Sequence, residues 1–150
     1  MQIPLIQKSN GMYLFCSKDF DSVAELVLRE YAPYMLKKAQ PLQIEALADE
    51  AYSLTILDRY LSARGSVLGM ISFDDINVEV MSLEKQVVKE KYMSGTIVVD
   101  ARLMIDEQHH RRRFTVSHEV AHWIIHRQMY YADGPKYNLR HEKRFIACRE

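Results

Sequence analysis

The chain has little of what staples or divides a fold: two cysteines, four prolines, five glycines and one tryptophan in 150 residues. Cys16 and Cys148 are too few and too distant in sequence for a disulfide framework, and neither has the C-x-x-C neighbour that would mark a second metal site. Reduced thiols are the expectation. No Gly/Ser/Pro-rich linker, internal repeat or low-complexity tract interrupts the sequence, so a single domain over 1–150 is expected. No apolar run approaches the roughly 18 residues of a membrane-spanning helix, and no charged leader followed by an apolar stretch is visible. Neither a signal peptide nor a membrane span is expected, and the cytosol is the expected compartment. Net charge is missing as well. Twenty basic and 20 acidic side chains cancel, so total charge gives no reason to expect a nucleic-acid or membrane partner.

What is present is an apolar content of 48% in a length that buries an ordinary core. Asp19 to Lys38 reads as a helix, with Ser22 and Glu25 spaced as a capping box and Pro33 expected to kink or split it. Pro41 opens a second helix that carries Ile44, Leu47, Ala48 and Ala51 inward to about Tyr52. Leu54 to Tyr60, Ser66 to Phe73 and Thr96 to Leu103 are β-branched or alternating and read as strands of a small mixed or antiparallel sheet. Asn77 to Met93 is highly charged and reads as an insertion, with a short helix after Ser82 or a strand through its valines both open.

Chemistry concentrates at His118-Glu119-Val120-Ala121-His122, the H-E-x-x-H pattern of zinc-dependent hydrolases. On a helix the two imidazoles share one face, about 40° and 6 Å apart, a spacing that one tetrahedral metal bridges. Glu119 is carried to the metal's edge, where it can take a proton from water without itself ligating. If 113–128 is helical, Phe114, Ser117, Ala121, Ile124 and Ile125 form one apolar arc and Val116, Val120 and Trp123 another. Between them lies a wedge of Thr115, His118, Glu119, His122 and His126, and groups buried there need partners. The bland alternative makes the histidines hydrogen-bonded core residues and Glu119 a surface charge. His126 lies about 80° and 12 Å from His118, so it reads as a supporting or packing residue rather than a ligand.

The stretch from Arg112 to His126, R-R-F-T-V-S-H-E-V-A-H-W-I-I-H, resembles the signature helix of the ImmA/IrrE-type metallopeptidases. Pro41 to Ala48 resembles that family's early helix, and Gly69 with the Gly95 to Asp100 strand fits its sheet. The resemblance implies an α+β zincin-like domain, with N-terminal helices, a small sheet and a buried active-site helix. It also implies a Zn2+ cofactor held by His118 and His122, Glu119 as catalytic base, and site-specific cleavage of a helix-turn-helix transcriptional repressor encoded nearby. The family's third ligand, a glutamate in a later helix, has no clear counterpart. Glu142, followed by Phe145 and Ala147, does not match its offsets. Glu142 and His141 remain substitutes, Asp133 in a Gly-Pro turn is a weaker one, and a ligand beyond residue 150 is the other reading. The missing ligand leaves open a non-catalytic zincin-like module that grips a repressor or antitoxin without cutting it. The basic cluster His109 to Arg113 reads as a solvated helix face, and Tyr130, Tyr131 and Tyr137 as packing or cleft-lining residues.

Overall fold

The computed structural model describes residues 2–131 and 145–149 and shows an α+β arrangement in which a small mixed sheet lies between helices on one face and a β-hairpin on the other. Helix α1 spans Ser17–Tyr31. Its N-cap, Cys16, lies six residues before the Ser22 that the capping-box spacing predicts. The Cys16 backbone N–H and thiol both donate to Asp19 Oδ2, at 2.7 and 2.9 Å, which leaves Ser22 inside the helix. Pro33 splits the expected longer helix. Ala32 leaves the helical region, and Pro33–Leu36 continues as a short 3-10 turn, because proline brings no N–H and disfavours the helical conformation in the residue before it. Helix α2 covers Ile44–Tyr52, later than Pro41 suggests. It closes at Ser53 in the left-handed region, φ 54°, with the Ser53 and Leu54 N–H groups bonded to Asp49 and Ala48 carbonyls.

Strands β1 (Thr55–Arg59), β2 (Val67–Ser72), β5 (Thr96–Asp100) and β6 (Phe145–Arg149) make a four-stranded sheet in the order β1-β5-β2-β6. β1 runs parallel to β5 with Thr55 opposite Thr96, while β2 is antiparallel to both β5 and β6. The expected strand to Leu103 ends at Asp100. There the carboxylate accepts the Arg102 N–H at 3.0 Å and caps a 3-10 turn, Ala101–Met104. The charged stretch read as an insertion is the hairpin of β3 (Ile76–Met81) and β4 (Val87–Tyr92), with Val78 opposite Glu90. It is part of the core.

Period-two alternation explains both packed faces. Ile71, Phe73, Ile97 and Val99 join Val27, Ile44, Leu47, Val116, Val120 and Trp123 in a core between sheet and helices. Met70 and Val98, pointing the other way, pack with Val80 and Tyr92 beneath the hairpin. A strand covered on both sides is buried at every position: Ile97, Val98 and Val99 are apolar, and the buried Thr96 and Asp100 at its ends hydrogen-bond the Met93 carbonyl and the Arg102 N–H.

Helix α3, His109–Tyr131, lies across this sheet. Val116, Val120 and Trp123 are buried as the periodicity predicts, and Trp123 stacks on Phe73 with centroids 6.0 Å apart. The other expected arc is only partly covered, since Phe114 is 71% exposed and Ala121 is exposed. Arg112 ties α3 to both neighbours, bonding Glu45 of α2 at 2.7 Å and Asp58 of β1. Arg113 donates to the Leu42 carbonyl at 2.9 Å. Two of the three arginines in the basic cluster thus serve helix docking. No helix among the described residues is long and apolar enough to cross a membrane.

Candidate metal centre

The polar wedge of α3 folds as a ladder of imidazoles. His118 and His122, one helical turn apart, face each other with Nε2 atoms 3.0 Å apart. The opposite ring nitrogen of His122, Nδ1, lies 2.9 Å from Nδ1 of His126. All three rings are half-buried. Burial, followed by the neighbouring His118 and His126, pushes the His122 imidazole down to about 4, and burial lowers His126. His122 is therefore neutral near pH 7, the form in which imidazole donates a lone pair.

Glu119 is no surface charge. It is 0% exposed, and neither carboxylate oxygen has a hydrogen-bond partner among the described residues. Burial alone pushes its carboxyl up to about 8. The space it occupies exists because β2 carries glycine at the crossing point. A Cβ at Gly69 would stand 2.6 Å from Thr115 Cγ2 and 2.8 Å from Glu119 Oε1, so a larger residue would displace these side chains or the helix that carries them. Thr115 and Ser117 stay compatible with the helix by donating to the Arg111 and Arg113 carbonyls, at 2.9 and 2.8 Å.

Two observations bear on whether these residues suit a zinc ion. Two nitrogens bound to one tetrahedral zinc at about 2.0–2.1 Å sit roughly 3.3 Å apart, close to the 3.0 Å separating the His118 and His122 Nε2 atoms. A buried, unpartnered carboxylate on the same turn carries a desolvation cost that a nearby cation or polarised water relieves. The pair fits as two donors of a set. Among the described residues no group of three or more His, Cys, Asp or Glu side chains is arranged to hold a metal. Asp133, His141 and Glu142 lie outside the described residues, as do the Gly134-Pro135 loop and Tyr137.

The sequence pattern thus anticipates a shared turn for His118, Glu119 and His122. It misses how close His126 comes to His122. An angular separation measured from His118 hides that His122, midway between them, is one turn from each. A further hollow of about 390 Å³ lies between α1, α2 and α3, with Phe20, Val27, Leu47, Val120 and Ile124 among its apolar lining. It is a separate, apolar space into which the carboxylate and imidazoles do not enter as lining residues. Comparison with known protein families, with curated proteins and with solved structures finds no match to this chain.

Proposed function

We propose that this chain is a zinc-dependent metallopeptidase of the ImmA/IrrE type, with a zincin-like site built on α3. The observation that carries the reading is the convergence of His118 and His122 Nε2, 3.0 Å apart, beside a fully buried Glu119 whose oxygens lack partners among the described residues. In this reading His118 and His122 hold the ion. Zinc, when bound, supplies a Lewis acid that lowers the pKa of water toward neutrality and polarises a carbonyl. Glu119 takes the proton from the attacking water and returns it to the departing amine nitrogen. The substrate implied by the resemblance is a helix-turn-helix repressor, cut at one peptide bond.

A second reading draws on a specific observation, the absence of a third donor among the described residues. Two protein ligands hold zinc weakly, and a module of this shape can grip a repressor or antitoxin without cutting it. Metal analysis of the purified chain, with a cleavage assay on the transcription factor encoded beside it, separates the two. Stoichiometric zinc and chelator-sensitive cutting support the peptidase, whereas tight binding of an uncut partner supports the module. A chain that takes up no zinc defeats the metal reading altogether.

A further inference from the structure

The histidine ladder extends past the two candidate ligands, and its third member touches the second at a defined atom. We propose that His126 is a positioning residue that sets the tautomer and ring orientation of His122 by accepting a hydrogen bond from His122 Nδ1–H. The inference rests on the metal reading above and adds to it a role outside the coordination sphere.

Bookkeeping of hydrogens leads to this direction. His122 uses both ring nitrogens, Nε2 toward His118 at 3.0 Å and Nδ1 toward His126 at 2.9 Å. A neutral imidazole carries one N–H, so each short contact needs one donor and one acceptor. In the metal-free chain the ladder can run either way, with hydrogens pointing from His118 toward His126 or the reverse. A ligating nitrogen must be bare. If His118 and His122 both present Nε2 to one ion, the His122 hydrogen is confined to Nδ1. His126 must then receive it on Nδ1 and carry its own hydrogen on Nε2. Only one direction of the ladder is compatible with metal, and His126 is the group that makes it favourable.

The usual partner of a ligating histidine's second nitrogen is a carboxylate, a backbone carbonyl or water. Here the partner is a third imidazole one turn along α3, half-buried like its neighbour. Its Nδ1 is engaged with His122, and its place two turns from His118 keeps it apart from the Nε2 pair.

The test compares wild type with His126→Leu and His126→Asn. The asparagine side-chain oxygen can accept a bond near the position of Nδ1, while leucine fills space without accepting. Zinc affinity is read by competition with a chromophoric chelator, and ring tautomers of the zinc-loaded wild type by ¹⁵N-resolved imidazole NMR. The leucine variant is expected to bind zinc about 10- to 100-fold more weakly, with asparagine restoring affinity to within about three-fold of wild type. The spectra are expected to show hydrogen on Nδ1 of His122 and Nε2 of His126. Equal zinc affinity in the leucine variant, asparagine as weak as leucine, or hydrogen on Nδ1 of His126 would each overturn the assignment while leaving the peptidase reading intact. A wild-type chain without zinc affinity would overturn both.

Discussion

Gly69 on β2 and Glu119 on α3 occupy the same small volume by agreement: a single added methyl on the strand would stand 2.8 Å from the carboxylate oxygen and 2.6 Å from the Thr115 methyl. Gly69→Ala is expected to destabilise the protein by about 1–3 kcal/mol through overpacking. It should also dislodge the Glu119 side chain. Urea midpoints measure the first effect. A fully stable alanine variant with unchanged cleavage would show that strand and helix do not meet this closely.

Glu119→Gln keeps the shape of the side chain and removes its capacity to carry a proton. Zinc content is expected to remain at the wild-type level while cleavage falls by about 10²–10⁴-fold. His118→Ala, by contrast, is expected to lose zinc and cleavage together. Metal analysis beside a turnover assay on both variants checks the pair, and zinc loss in the glutamine variant contradicts the assignment of Glu119 as base.

The stability of the metal-free protein should depend on pH in a particular direction. The folded Glu119 carboxyl holds its proton to about 8, whereas the unfolded chain releases it near 4.5, so its contribution is present at low pH and lost as pH rises toward 8. His122 works oppositely. Folding holds its imidazole at about 4 against 6.5, so its contribution is present above 6.5 and lost as pH falls toward 4, with His126 adding in the same sense. The slopes oppose each other between 4.5 and 6.5, and above 6.5 only Glu119 remains. Stability in the presence of chelator is expected to drop by roughly 2 kcal/mol between pH 6.5 and 8, at 1.36 kcal/mol per unit for one proton. Glu119→Gln should flatten that limb. A wild-type profile that is already flat there would mean that Glu119 does not fold as a buried, ionisable carboxyl.

Arg112 links α3 to α2 and β1 through Glu45 and Asp58, with only 15% of its own side chain exposed. Arg112→Met preserves the aliphatic stem and leaves Asp58 without this partner, for an expected loss of about 1–3 kcal/mol. A double-mutant cycle with Asp58→Asn measures the coupling. Additive effects would show that the ion pair contributes nothing to docking the helix.

Much of the fold can be read from periodicity. The strands at Thr55, Val67 and Thr96 lie inside the apolar segments that anticipate them, and the buried arc Val116, Val120, Trp123 follows from 3.6 residues per turn. The hairpin is harder to see. Its inward Val78, Val80 and Val88 alternate with Glu79, Lys89 and Lys91, so local charge masks the face that packs beneath the sheet. Helix starts fail for a different reason. Cys16 is a weak sequence signal for a cap, yet Asp19 reaches back to it, and the stronger-looking Ser22 pair has no free helix end to satisfy. At the site, the shared turn of His118, Glu119 and His122 is legible because residues three and four apart on a helix fall on one face. The burial of Glu119 depends on a glycine fifty positions earlier, which no local pattern connects to it.

The mixed pairing of β5 carries a consequence for how the chain assembles. The β3–β4 hairpin closes over a short turn, Ser82 to Gln86, a contact that small loops form within about 1–10 μs. The parallel match of Thr55 with Thr96 must enclose that entire hairpin and β2 before it yields a single ladder bond. Folding should therefore start from the hairpin and be limited by the β1–β5 closure, so that substitutions in β1 chiefly slow refolding while those at the hairpin's outer face leave the rate untouched.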